Sequence, residues 1–308
     1  MRIYGLRITC TEFIEASAIS IISIKSAYPH NGMDKTCFLS IDVEKKENQD
    51  KNPFEGVEKL DNIFNIFKKY KADATLFVTG EVLERYPHLV KKWSKDFEIG
   101  CHNYYHIPLD KINLSEREKQ IKDFINLYKS IFDKLPASFR APRNIIDNEQ
   151  IPLLEKYGFL YDASVFPRYP WRIHRYEGYR GRAPVFPYYP NRSDYRKRGN
   201  IKILEIPEAG LIFGIPLVGT WLRKLGVGFY KVLFYFKKPK FICFNMHSWD
   251  GVKFEGKSSK NSGEKYLEQL DGMLGYLRKI GYEFKTGEQI YEEFFRQRRT
   301  SLGLAKTE

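Results

Sequence analysis

The chain has 308 residues, and its 51 Lys and Arg against 38 Asp and Glu give a formal net charge of +13. Hydrophobic residues make up 43% of the chain and aromatic residues 16%, which is enough apolar surface for a large core and excludes a mainly disordered protein. No run of about 18 uncharged apolar residues occurs, so we expect no membrane-spanning helix.

The first 32 residues differ in character from the rest of the chain. Acidic residues interrupt their apolar stretch, so they do not resemble a signal peptide. Met33 directly precedes the first strong strand pattern. We therefore expect residues 1–32 to be a poorly structured extension upstream of a true start at Met33, residues 33–299 to form one domain, and residues 300–308 to be a frayed tail.

From Cys37 onward, strand-like runs alternate with helical patterns. The predicted strands are short apolar runs at Cys37–Val43, Thr75–Thr79, Phe97–Cys101, Ser138–Arg140, Tyr161–Ala163, Ile201–Ile206 and Phe241–Met246. Helices are predicted from apolar spacing over Val57–Phe67, Glu81–Trp93 and Ser262–Ile280, and from capping boxes that pair Ser115 with Glu118 and Thr286 with Gln289. This order predicts a parallel sheet with helices outside, either a barrel or a doubly wound sheet.

Two basic segments stand out from this pattern. Residues 166–200 interleave Pro with Arg and Tyr, which predicts a long inserted or covering loop. Residues 209–249 contain six Lys or Arg and no acid, and Leu211–Phe236 within them is apolar. That stretch predicts either an interfacial helix that meets lipid headgroups or a core helix. The charge itself fits an anionic partner (nucleic acid, phospholipid or a phosphorylated substrate) or a solvated basic face.

The four cysteines are too few for a disulfide scaffold. Cys37, Cys101 and Cys243 lie in or beside apolar strand-like runs, which predicts buried, reduced thiols. This favours a cytoplasmic setting.

Polar residues follow the first and third predicted strands. Ser40, Asp42 and Glu44 share one face of their strand, because strand side chains alternate. His102 and His106 have the spacing of a metal-ligand pair in a turn or short helix. Two neutral imidazoles and one carboxylate leave open positions on a divalent metal and suit Zn²⁺, Fe²⁺ or Co²⁺.

Arg140, Asp162 and His247 fall at the ends of later predicted strands. Taken singly, each has an ordinary structural explanation as an ion-pair partner, a turn residue or a structural histidine. Because the carboxyl ends of parallel strands meet at one edge of a sheet, we expect all these side chains to converge there.

In this order, the residues resemble the NodB-like polysaccharide deacetylases, carbohydrate esterase family four, over roughly Phe38 to Phe284. The family's five motifs resemble Ser40-Ile41-Asp42-Val43, His102 to His106, Arg140-Ala141-Pro142, Tyr161-Asp162-Ala163-Ser164 and Asn245-Met246-His247. The Asp-Val-Glu form of the first motif resembles most the branch linked with exopolysaccharide synthesis. The resemblance implies a distorted (β/α)7 barrel and the metal-dependent hydrolysis of an N-acetyl group on a sugar.

The resemblance also implies a metal site, with Zn²⁺, Co²⁺ or Fe²⁺ held by His102, His106 and a carboxylate. The second Asp of the family's first motif, a metal ligand, is Val43 in this chain. Glu44 lies one residue later and on the same face as Asp42, so we assign the ligand role to Glu44.

The remaining roles follow from the same resemblance. Asp42 is implied as the general base, kept ionised by Arg140, and His247 as the acid that protonates the departing amine. Asp162 is implied to orient His247 and favour its charged form.

Three further residues are expected to bind substrate. A backbone N–H near Arg143 would stabilise the oxyanion. Trp249 would line the acyl pocket or simply pack in the core, and Tyr105 lies between the two histidines.

The leading interpretation is a metal-dependent N-deacetylase acting on a glycan or glycan precursor. The sequence leaves four alternatives open. The chain could act on a polyprenyl-phosphate-linked sugar at the cytoplasmic membrane surface, hydrolyse a non-sugar amide, or be a non-catalytic glycan-binding relative. The sequence pI of about 9.3 also fits a nucleic-acid-binding protein. That last alternative leaves the histidines and carboxylates unexplained.

Overall fold

The computed structural model describes residues 34–47, 52–167, 182–208, 210–256 and 258–301. Residues Asp34–Tyr291 form one compact unit, which contains every site discussed below. The expected extension (1–32), the middle of the expected insertion (168–181) and most of the expected tail (302–308) lie outside the described residues.

The described residues contain eight strands in one sheet, and all their pairings are parallel, as the alternating pattern predicted. The strands are β1 (Thr36–Val43), β2 (Thr75–Val78), β3 (Glu98–Cys101), β4 (Ser138–Phe139), β5 (Tyr161–Asp162), β6 (Leu204–Glu205), β7 (Phe241–His247) and β8 (Glu283–Lys285). Their order is β6-β5-β4-β3-β2-β1-β7, and β8 pairs with the start of β1. The register sets Asp42 beside His247, so two distant motifs meet at one end of the sheet.

Helices surround this sheet. The α-helices are α1 (Glu55–Glu58), α2 (Asp61–Lys69), α3 (Gly80–Arg85), α4 (Pro87–Trp93), α5 (Leu114–Phe132), α6 (Gln150–Lys156), α7 (Gly219–Phe236), α8 (Glu264–Lys279) and α9 (Gly287–Ser301). Short 3₁₀ turns cover Leu109–Lys111, Pro142–Asn144, Ile212–Gly214 and Ser248–Gly251. This architecture is the distorted (β/α)7 barrel that the resemblance implied.

Helix boundaries differ from the sequence prediction in three main places. The expected single helix over Val57–Phe67 is two helices, α1 and α2, which are separated at Lys59 and Leu60. The expected single helix over Glu81–Trp93 is two helices, because Pro87 cannot continue the first one and opens the second instead. The predicted Ser115 cap is wrong, since Asn113 is the N-cap and accepts a hydrogen bond from the backbone N–H of Glu116 at 2.9 Å. The Thr286 capping box is confirmed by reciprocal hydrogen bonds with Gln289.

The amino-terminal end of the barrel is held by one carboxylate, Glu98. It accepts hydrogen bonds from the hydroxyls of Thr75, Ser138 and Tyr161, at 2.8, 3.0 and 2.6 Å. It also accepts one from the backbone N–H of Glu288 at 3.0 Å. Four strands, β2 to β5, and the last helix are therefore tied together at the end opposite the carboxyl termini of the strands.

Helix α7 has one buried side and one exposed side. It buries Leu222, Tyr230 and Phe234, while Phe229 and other apolar side chains further along are exposed. Gly226, at φ 77°, breaks the helix into two halves. No helix in the described part of the chain is both long and apolar enough to cross a membrane.

Candidate active site

A pocket of about 410 Å³ opens at the carboxyl ends of the strands. Its lining includes six of the predicted site residues: Asp42, Glu44, His106, Arg143, His247 and Trp249. Tyr105 does not belong to the described lining. It is 45% exposed and its ring packs against that of Tyr104, and its expected substrate role stays a prediction.

Glu44, His102 and His106 form a compact cluster whose ligand atoms all lie within 4.8 Å of one another. Glu44 Oε2 is 2.6 Å from His106 Nε2 and 3.7 Å from His102 Nε2. The two histidines lie in a turn after β3, where Asn103 at φ 62° reverses the chain and brings both rings to one side. Glu44 directly follows strand β1 and lines the pocket. Its carboxylate therefore lies beside the two histidines, where a third metal ligand is expected.

The cluster has the properties of a divalent-cation site. Glu44 Oε2 is buried, and no described group meets it in hydrogen-bond geometry. His102 Nδ1 lies 2.8 Å from the carbonyl oxygen of Arg140, which can only accept, so Nδ1 carries the proton and Nε2 presents its lone pair to the cluster. Burial lowers the pKa of His102, which keeps it neutral. One carboxylate and two imidazoles in this arrangement fit Zn²⁺ and related ions.

Asp42 is held by a fully buried guanidinium, that of Arg140. Arg140 Nη1 lies within hydrogen-bond distance of Asp42 Oδ1 at 2.9 Å, Ser40 Oγ at 2.9 Å and Asn245 Oδ1 at 2.8 Å. Asn245 Nδ2 donates to Asp42 Oδ2 at 2.9 Å. Burial alone would raise the pKa of Asp42, but the charge of Arg140 holds that pKa well below its usual range. Asp42 is thus a fixed, ionised carboxylate at the pocket wall.

Arg140 has a second acidic neighbour, Glu208, whose Oε1 lies 3.4 Å from Arg140 Nη2. Burial raises the pKa of Glu208 to about 7, and the charge of Arg140 opposes that rise. Sequence reasoning missed this residue, although it follows β6 as the other site residues follow their strands.

His247 stacks on Trp249, with ring centroids 4.2 Å apart. Its acidic partner is Asp250, whose Oδ2 accepts a hydrogen bond from the His247 backbone N–H at 2.9 Å and lies 3.7 Å from His247 Nδ1. Burial opposes protonation of His247, but the Asp250 carboxylate beside its ring and the nearby carboxylates of Glu44 and Asp42 raise its pKa to about 9. Arg223 in turn donates from Nε to Asp250 Oδ1 at 2.8 Å.

The expectation that Asp162 orients His247 is therefore wrong. Asp162 Oδ1 accepts from the Ser164 hydroxyl at 2.7 Å, and the strand register sets Asp162 beside Glu205. Burial raises the pKa of both carboxyls. The Asp162 side chain supports the barrel wall instead.

Arg143 lies at the pocket in the left-handed backbone region, with φ 57°. Its guanidinium is 3.7 Å from Glu47 and about half exposed. Trp249 also lines the pocket, and its Nε1 lies 3.4 Å from Glu44 Oε1. The indole thus contacts the metal-ligand candidate as well as the pocket space.

Comparison with known proteins agrees with this geometry. Residues 34–161 match the family model for polysaccharide deacetylase. The chain is 35% identical over 92 residues to a peptidoglycan deacetylase-like protein of Gibberella zeae, covering 30% of this chain and 27% of that one. It is 29% identical over 113 residues to a peptidoglycan deacetylase of Helicobacter pylori, covering 36% and 39%. The chain spans less than half the length of these curated relatives.

Two solved structures share the fold over most of the chain. A Mycobacterium smegmatis protein that carries the name of a polysaccharide deacetylase superposes with a TM-score of 0.58 at 14% identity, covering 88% of this chain and 93% of that one. A family-four pseudoenzyme from Bacillus anthracis gives 0.54 at 15% identity, covering 86% and 67%. These likenesses establish the NodB-type barrel.

Proposed function

We propose that the protein is a metal-dependent hydrolase that removes an N-acetyl group from a sugar of a polysaccharide or glycan precursor. The observation that carries the proposal is the convergence of three different groups at one pocket. These are the Glu44–His102–His106 cluster, the Asp42–Arg140 pair and the His247–Asp250 pair. A glycan deacetylase needs a cation site, a base and an acid, and the pocket offers a candidate for each.

Glu44, His102 and His106 would hold the ion, with Zn²⁺ as the first choice and Co²⁺ or Fe²⁺ as alternatives. When bound, a divalent ion supplies Lewis acidity that polarises an acyl carbonyl and acidifies water. Asp42 takes the proton of the attacking water, and Arg140 keeps that carboxylate ionised and fixed in orientation. His247, protonated beside Asp250, donates a proton to the departing nitrogen. The backbone at Arg143 is proposed to donate to the developing oxyanion.

The test is elemental analysis of the purified protein, followed by acetate release from a panel of N-acetylated glycans. We expect His102→Ala to lose the metal, and Asp42→Asn to keep it while turnover falls by about 10²–10⁴-fold. His88→Ala is the matched control, because it removes an exposed imidazole on α4.

Full activity in Asp42→Asn would overturn the assignment of the base. Acetate release from simple amides but not from sugars would favour an amidohydrolase of another substrate class. Metal binding without any acetate release would favour a non-catalytic glycan-binding protein. An affinity for nucleic acid whose logarithm falls linearly with the logarithm of the salt concentration would favour a nucleic-acid-binding protein.

A second candidate substrate is a lipid-linked sugar carrying a phosphate. Lys45, Lys46, Arg143 and Lys224 all line the pocket, and such a basic rim suits an anionic group next to the sugar. We propose the cytoplasmic face of a membrane as the setting, supported by the free, buried thiols of the three described cysteines. A role in exopolysaccharide synthesis is part of this proposal.

Comparing kcat/KM for an N-acetylated sugar with and without a phosphate tests the second candidate. We expect the phosphorylated sugar to be preferred, and Lys224→Ala to reduce that preference. Equal values for both sugars would contradict it.

A further inference from the structure

The outer face of helix α7 is apolar and exposed. We call Phe229, Val232, Tyr235 and Phe236 the α7 outer face, and their exposed fractions are 36%, 55%, 81% and 74%. Phe229, Val232 and Tyr235 are three residues apart and Phe236 is four residues after Val232, so all four lie on one side of the helix beyond the break at Gly226. The opposite side is buried, where the ring of Phe234 packs against those of Tyr276 and Tyr282.

This concentration of apolar exposure is unusual for the molecule. Eleven large hydrophobic side chains are counted as exposed in the part of the chain that the structure describes, and five of them lie between Leu225 and Phe236. The other six are distributed over the rest of the described surface, with no more than two close together in sequence. Scattered apolar residues are normal, whereas a contiguous patch indicates a contact surface.

Lysines frame this patch. Lys231, Lys237, Lys238 and Lys240 are exposed, and residues 209–249 contain no acid. None of the four lysines forms an ion pair with an acidic group in the described ranges. Lys231 lies over the ring of Tyr276, 5.5 Å from its centroid. The charge around the outer face is therefore positive and not neutralised locally.

We propose that the α7 outer face docks on an anionic lipid bilayer. Aromatic side chains prefer the boundary between headgroups and acyl chains, and lysines beside them meet anionic headgroups. Charge complementarity favours a bilayer over a second copy of the chain, because pairing two outer faces would bring their lysines together. The first turns of the same helix contribute Trp221 and Lys224 to the pocket.

This inference goes beyond the proposed function, since a surface can bind lipid whether or not the pocket hydrolyses an amide. The direct test is flotation of the full chain with vesicles of phosphatidylcholine alone or mixed with phosphatidylglycerol. We expect binding to the anionic vesicles and little binding to neutral ones. Val232→Ser/Phe236→Ser should weaken binding by at least about tenfold. Lys237→Glu/Lys238→Glu should weaken it by more than about fivefold per lysine.

Matched controls separate the face from the general basic charge. Leu114→Ser/Leu135→Ser removes exposed apolar side chains elsewhere, and Lys129→Glu/Lys134→Glu makes the same charge change away from α7. We expect both controls to bind anionic vesicles within about threefold of the unaltered chain. Acetate release from a soluble glycan should be the same in all four variants, because none of them alters the pocket.

Several outcomes would overturn the proposal. These are no flotation of the unaltered chain with anionic vesicles, equal losses in the controls, or α7 variants that bind as well as the unaltered chain. A dimer by light scattering that the α7 variants dissociate would instead identify a second copy as the occupant. Loss of acetate release in every preparation would count against the proposed function alone and would leave the vesicle result standing.

Discussion

Replacing Arg223 by methionine tests how α7 is joined to the active-site wall. Arg223 and Asp250 are both fully buried, and their 2.8 Å contact joins the helix to the turn that follows β7. Arg223 Nη1 also donates to the carbonyl oxygens of Ser258 and Lys260. Arg223→Met leaves Asp250 as a buried anion without its guanidinium, and breaking one partner of such a pair costs about 3–5 kcal/mol.

A double-mutant cycle measured by urea unfolding separates this charge effect from packing. The four proteins are the unaltered chain, Arg223→Met, Asp250→Asn and the double variant. We expect the double variant to lose about 1–3 kcal/mol less than the sum of the single losses, because it leaves no unpaired charge. Arg278→Met is the matched control, since Arg278 is half-buried and donates to backbone carbonyls. Additive losses, or a loss for Arg223→Met no larger than for Arg278→Met, would refute the reasoning.

Three other predictions concern the site and its supports. His247→Gln should lower amide hydrolysis by about 10²–10⁴-fold. Hydrolysis of an aryl acetate should be unaffected, because its phenolate leaves without a proton. Equal loss on both substrates in kinetic assays would count against His247 as a general acid. Burial raises the pKa of Glu208 from 4.5 to about 7, so the folded state binds more protons than the unfolded state between those values. The free energy of unfolding should therefore fall by about 3 kcal/mol as pH rises through that window. In urea unfolding from pH 4.5 to 8, Glu208→Gln should reduce the slope of this free energy against pH. An unchanged slope would contradict the prediction. Gly219→Ala would set a Cβ 2.1 Å from Asp250 Oδ2 and should cost about 1–3 kcal/mol in urea unfolding, whereas Gly228→Ala, with nothing within 4 Å, should not destabilise.

Much of the barrel could be predicted from sequence because its central strands are continuous apolar runs. Residues Thr36 to Val43 are all buried, as expected for a parallel strand covered on both faces. The strands β4, β5 and β6 are only two residues long, so their apolar signal was short and their register could not be inferred.

The site residues differ in the same way, according to whether they belong to long central strands or to very short ones. Asp42, Glu44, His102 and His106 could be predicted to converge, because they follow central strands whose order is set by parallel pairing. The role given to Asp162 was wrong because its neighbour is decided by the register of two very short strands.

Asp250 and Arg223 were missed for different reasons. Asp250 has a local signal, since it lies three residues after His247 in a turn where its side chain can reach back to the backbone. Arg223 has none, because a basic residue on an apolar helix is usually solvated, and its burial follows from how α7 packs against residues far along the chain.

The hydrogen bonds of Glu98 stabilise one end of the barrel, and the pocket lies at the other end. One carboxylate fixes strand starts and the last helix, while the loops at the opposite mouth carry the polar groups. Substitutions in those loops can therefore change what the pocket binds without disturbing strand order. A barrel that keeps Glu98 and its hydrogen bonds can therefore acquire a new binding preference through changes in these loops alone.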